Sequence, residues 1–130
     1  MNYFWRATPH LIFFAVLTLA LSDAGCNSTA VAIAQPGQPE ANFNVVMKKW
    51  VITPDVIRVK QGTMVHLHIT TADVQHGFEV KGLNISEPVN PGRTTDINFV
   101  ADKPGRYEVQ CGILCGKGHD DMTGAIVIEN

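Results

Sequence analysis

Little in this sequence recommends a partner by charge. Ten Lys and Arg stand against twelve Asp and Glu, a net charge of −2. No basic surface for a nucleic-acid backbone is expected from that balance. Cysteine is scarce as well: three residues in 130 are too few for a scaffold built on disulfides. One apolar run stands out, Leu11 to Leu21, broken only by Thr18. It is shorter than the roughly 20 residues that span a bilayer. No window carries a helical period, and no internal repeat is visible. What is there is ordinary in bulk, with 45% apolar and 17% charged residues over the length of one domain. That is enough apolar material for a single core.

Residues 1–34 read as an address or an anchor rather than as part of the fold. Arg6 is the only Lys or Arg among them, the apolar run follows, and Ala32-Ile33-Ala34 offers small residues for cleavage. This is the order of a secretory signal. An uncleaved anchor extending toward Tyr3 is a second reading. Lipidation at Cys26 is a third, because Ala24-Gly25-Cys26 resembles the end of a bacterial lipoprotein box, with Asp23 where an apolar residue is usual. Each reading sends the following domain across a membrane. The expected location is therefore periplasmic or on the outer face of the cytoplasmic membrane. Residues 35–42, polar and rich in Pro and Gly, read as a linker.

From Phe43 onward short apolar runs alternate with turn signals. Phe43 to Ile52 is β-prone, and Thr53-Pro54-Asp55 interrupts it. Val56 to Lys60 and Met64 to Thr70 are the next expected strands. The second alternates cleanly, with Met64, His66, His68 and Thr70 on one face and Val65, Leu67 and Ile69 on the other. Phe78 to Val80, Thr94 to Val100, Tyr107 to Gln110 and Thr123 to Ile128 complete the set. Many short strands separated by turns indicate a β-sandwich or barrel.

The chemistry concentrates in Cys111-Gly-Ile-Leu-Cys115-Gly-Lys-Gly-His119-Asp-Asp-Met122. Two thiols, an imidazole and a thioether suit a soft or borderline metal. His76, placed between two expected strands, is the natural candidate for a further ligand, since one loop does not easily surround an ion. A hydrogen-bonded loop histidine is the competing reading. His66 and His68 share a strand face, a pair that suits a surface metal. A solvated face is the expected role there, because Val65, Leu67 and Ile69 already mark the buried side.

Four arrangements fit the loop. A disulfide between Cys111 and Cys115 leaves His119 and Met122 without a purpose. A closed zinc site of His76, Cys111, Cys115 and His119 makes Met122 an ordinary core methionine. A single copper needs only one of the cysteines. Two coppers bridged by both thiolates, with one histidine per ion, use every donor. Sharing one electron over two ions lowers the reorganisation that a redox change requires, so electron transfer suits this arrangement better than catalysis.

Cys111-x3-Cys115-x3-His119-x2-Met122, preceded by Asp73-Val-Gln-His76-Gly-Phe78, resembles the binuclear copper A domain of cytochrome c oxidase subunit II. The same centre occurs in nitrous oxide reductase, whose large catalytic domain 130 residues do not accommodate. Trp50-Val-Ile-Thr-Pro54-Asp-Val-Ile57-Arg-Val59-Lys-Gln-Gly62 is similar to the opening strands of the cupredoxin fold. The resemblance covers 43–130. It implies an all-β, cupredoxin-like Greek-key sandwich or barrel preceded by an N-terminal signal or anchor. It also implies two copper ions held by His76, Cys111, the backbone carbonyl of Ile113, Cys115, His119 and Met122. Electrons would come from cytochrome c or a similar donor and pass to the haem–copper catalytic subunit. The chain alone would catalyse nothing. Ile113 stands where most oxidase subunits carry a Glu that helps hold magnesium; its carbonyl can still bind copper. The alternative from another class is a stand-alone copper-binding or copper-delivery protein. Gly116 after the second cysteine departs from the Cys-x3-Cys-Pro motif of the thioredoxin-like copper chaperones.

Overall fold

The computed structural model describes residues 36–130. The signal, anchor and lipidation readings of residues 1–34 lie outside the described residues. Nine strands run in order: β1 Glu40–Lys48, β2 Val51–Thr53, β3 Val56–Lys60, β4 Met64–Thr71, β5 His76–Val80, β6 Ile85–Val89, β7 Thr95–Val100, β8 Gly105–Cys111 and β9 Thr123–Glu129. They form two sheets, ordered β2-β1-β4-β7 and β3-β9-β8-β5-β6. One turn of 3-10 helix, Lys81–Leu83, is the sole helical element among the described residues. The all-β sandwich expected from the sequence is the architecture found.

Hydrophobic alternation drives it. On β4, Val65, Leu67 and Ile69 are fully buried, and Val45 and Met47 of β1 join them. Phe78, Val80, Val109 and Ile126 face them from the second sheet in one contiguous core. Each such side chain contributes about 1.5–3 kcal/mol by leaving water. The outward residues His66, His68 and Thr70 are partly exposed, as the alternation requires. Met64 differs: it shares their parity but is buried, at the strand's start between Glu40 and Val100.

β1 pairs in parallel with β4, from Glu40 opposite Met64 to Met47 opposite Thr71. This pairing draws Glu40, read as linker, into the first strand. The β-prone stretch after Phe43 is two strands rather than one. β1 and β2 pair antiparallel around Lys49-Trp50, where the Lys49 N–H leaves the ladder and donates to Asp73 Oδ2 at 2.8 Å. β6 was not expected from the sequence, since Ser86, Glu87 and Pro88 carry no apolar alternation. It is a sheet edge, the place where a strand tolerates a proline that cannot donate to the ladder.

Candidate metal centre

The site forms where β5 begins and β8 ends. Phe78 lies directly opposite Cys111 in the β5–β8 ladder. Residues directly opposite share a face, and so do residues two apart on a strand. His76, Phe78 and Cys111 therefore all point inward, and all three are buried. His76 is not a loop residue, as the sequence suggested. It is the first residue of β5, held by pairing with Val89 of β6.

Gly77 makes the close approach possible. A Cβ there would lie 2.9 Å from Ile113 N and 3.0 Å from Gly112 N and C. Without one, the Gly112 N–H reaches Gly77 O at 3.0 Å and carries the β8 chain past His76. The loop after Cys111 is then bound by Trp50, whose ring packs against Gly116 and Gly118. Any side chain at Gly118 would displace that ring. Lys49 Nζ sits 5.9 Å from the Trp50 ring centroid, a cation–π separation.

The donor atoms line up as a chain. His76 Nδ1 is 3.7 Å from Cys111 Sγ. Cys111 Sγ is 3.4 Å from Cys115 Sγ. Cys115 Sγ is 3.8 Å from His119 Nδ1. The two sulfurs are central, with one imidazole beside each. Their separation far exceeds the ~2.05 Å of a disulfide, and both cysteines are free. The Cys111 thiol donates to Ile113 O at 3.1 Å, so that carbonyl also faces the sulfurs. Ligand atoms of His76, Cys111 and Cys115 lie within 4.8 Å of one another. Met122 is fully buried and lines a cavity of about 170 Å³ with Cys111 and His119. At the outer rim, Leu114 is 82% exposed.

Asp73 supports the site from behind. Its Oδ1 accepts from His76 Nε2 at 2.8 Å and from the Val74 N–H at 2.7 Å. A carboxylate behind an imidazole fixes its tautomer and leaves the other nitrogen free for a metal. His76, 0% exposed, thus presents its Nδ1 lone pair to Cys111. Burial alone would raise the Asp73 pKa, but the Lys49 N–H, the His76 ring and the Val74 N–H together hold it well below the usual carboxylate range. The sequence reading named Asp73 only as a member of a motif. A carboxylate three residues before a candidate ligand is the signal that marks such a support.

Cys115 behaves in the opposite sense. Burial, then the hydrogen bond and charge of neighbouring Cys111, push its thiol up to about 11. Two clustered thiols resist ionising together. A bound cation would reverse that, since a metal-coordinated thiol is deprotonated outright. Thiolate, imidazole and thioether fit copper by softness. The geometry therefore defines a cupredoxin-type metal-binding protein, with thiol and imidazole donors gathered where β5 begins and β8 ends.

The comparisons agree with this class. The family model of the cupredoxin-like domain matches residues 11–128. Cytochrome c oxidase subunit 2 of Thermus thermophilus is 36% identical over 100 residues, covering 77% of this chain and 74% of that protein. A chain in the cryo-EM structure of a heme-copper terminal oxidase dimer superposes with a TM-score of 0.67 at 27% identity, covering 78% of each chain. The periplasmic domain of cytochrome oxidase subunit II from Bradyrhizobium japonicum shares the fold, with a TM-score of 0.62 at 24% identity over 68% of this chain and 84% of that one. The chain belongs to the cupredoxin-like family and, within it, to the cytochrome c oxidase subunit 2 proteins. It is a copper protein of electron transfer, carrying a copper A centre.

Proposed function

We propose that the two coppers are held by His76, Cys111, the Ile113 carbonyl, Cys115, His119 and Met122, and that the chain is the electron-entry domain of a respiratory haem–copper oxidase. The observation that carries this reading is the order His76–Cys111–Cys115–His119, with the sulfurs adjacent and one imidazole beside each. Bound copper would supply a one-electron couple shared between two ions. The chain's own residues do the rest. Cys111 and Cys115 would hold the ions through their sulfurs, which lie 3.4 Å apart. Asp73 holds the His76 tautomer. Buried Met122 would offer a weak thioether ligand. The two-sheet scaffold keeps every donor in place, which lowers the reorganisation a redox step demands.

The donor is a cytochrome c or similar carrier, docking where Leu114, next in the chain to Cys115, is exposed. The acceptor is the oxidase catalytic subunit, in keeping with the heme-copper oxidase chain that superposes on this one. The domain works on the periplasmic side, with residues 1–34 as signal or anchor, a short linker that ends before Glu40, and the copper domain from β1 onward. Among the described residues no helix is long and apolar enough to cross a membrane. Ile113 supplies a carbonyl but no carboxylate, so this chain brings no acidic ligand at that point of the oxidase interface.

The test is to load the full chain with copper, count copper per chain and record the electron paramagnetic resonance spectrum. Two coppers sharing one unpaired electron are expected, and Cys115→Ser should abolish the shared-valence signal. One copper with a localised spin, or an unchanged binuclear spectrum in Cys115→Ser, would overturn the ligand assignment.

A further inference from the structure

We propose a second metal site on the outer face of the β2-β1-β4-β7 sheet, where His66 and His68 bind one borderline divalent cation, Zn2+ or Cu2+, through their Nε2 atoms, with the Glu40 carboxylate as third donor. It shares no residue with the copper loop, which belongs to the other sheet.

The strand geometry comes first. His66 and His68 are two apart on β4 and so project from the same side. Their Cα atoms are about 6.8 Å apart at the rise of a β-strand. Two imidazoles at that spacing can converge on one ion at ~2.0–2.1 Å from each nitrogen. The opposite side of β4 is locked into the core by Val65, Leu67 and Ile69, so the pair stands on a fixed base. The rings are accessible, with side chains 26% and 43% exposed.

The hydrogen bonding then selects the nitrogen. β7 runs antiparallel beside β4, with Asn98 opposite His66 and Asp96 opposite His68. His66 Nδ1 donates to Asn98 Oδ1 at 2.7 Å, and His68 Nδ1 donates to Asp96 Oδ1 at 2.6 Å. A ring that donates through Nδ1 carries its lone pair on Nε2. An oxygen acceptor behind each imidazole is the usual support of a metal-bound histidine. The same pattern holds at His76 in the copper centre, where Asp73 is the acceptor. Two solvated histidines would need no such partner, and here each ring has one.

Charge completes the case. Glu40 Oε2 lies 4.0 Å from His66 Nε2, on the side away from Asn98. Asn42 and Asn44 of β1, opposite His66 and His68, bring no cation to compete. Glu40 and Asp96 therefore set a negative potential around the two imidazoles. Imidazole with carboxylate suits Zn2+ and Cu2+ rather than Mg2+ or Ca2+. Three protein donors leave a position for water or a further ligand.

The test uses the full chain with its copper centre loaded, titrated with redox-silent Zn2+ in a calorimeter and counted by elemental analysis. One Zn2+ per chain beyond the coppers is expected. Affinity should fall about tenfold or more in His68→Gln, and about tenfold in Asp96→Asn through loss of the supporting acceptor. The His66→Gln/His68→Gln double variant should bind none, while its copper absorption stays that of the parent. Imidazole resonances of His66 and His68 in the unaltered protein should shift together as Zn2+ is added. No additional Zn2+, equal affinity in the double variant, or histidine resonances that do not move would each overturn the site.

Discussion

The buried imidazole of His76 shows what a single residue must satisfy to serve here. Both its nitrogens need partners, and the fold supplies Asp73 on one side and Cys111 on the other. Asp73→Asn keeps the shape but removes the charge that holds the ring. Copper affinity should fall about 10–100-fold, read by competition with a chelator of known affinity. Met122 is a different case. It is buried among apolar neighbours, and leucine has nearly its volume, so Met122→Leu should fold with a loss below about 1.5 kcal/mol. The thioether goes with it. The centre should still assemble, but at a shifted reduction potential, measured by spectroelectrochemical titration. An unchanged potential would make Met122 a core residue only.

At the scale of elements, the β5–β8 contact sets the site. Gly77→Ala would thrust a methyl group into the backbone of Gly112 and Ile113. Backbone cannot swing aside as a long side chain can, so the strands must part. The expected loss is about 1–3 kcal/mol of stability, together with a lower copper content per folded chain. Urea denaturation and metal counting on the same sample check both. A variant as stable and as metal-rich as the parent would show that the approach of β8 to β5 does not position the loop.

The whole molecule stores a pH response in its metal-free form. An unfolded Cys115 loses its proton near pH 9.0, but the folded one holds it to about 11. Across that interval the unfolded chain binds fewer protons than the folded chain. Stability therefore falls as pH rises through it and is unaffected by this group below it. Denaturation curves on either side of the interval should show the loss in metal-free protein, and Cys115→Ser should lack that component. Copper loading should remove it too, because the bound thiolates carry no proton to lose. Asp73 acts at the other end: its contribution is present above the ordinary carboxylate range and lost as pH falls below it.

The sequence by itself determined the strands of the core, because alternation of Val65, Leu67 and Ile69 with polar residues has one stable reading on a half-buried sheet. It also made the candidate donors of the loop legible, since Cys111, Cys115, His119 and Met122 sit close along the chain and their chemistry travels with their identity. Other features were decided only in three dimensions. β6 has no apolar alternation and is a strand only because β5 offers it a ladder. His76 reads as a loop histidine until the β5–β8 register turns it inward beside Cys111. Asp73 becomes a support only where the chain reverses and Lys49 arrives from β1 to share its carboxylate. Trp50 reads as one more β-prone residue, yet its ring packs against two glycines more than sixty positions away. Periodicity and residue chemistry are local and are written in order along the chain. Contacts between distant strands depend on register and on which glycines let backbones touch, and those are settled only when the two sheets close.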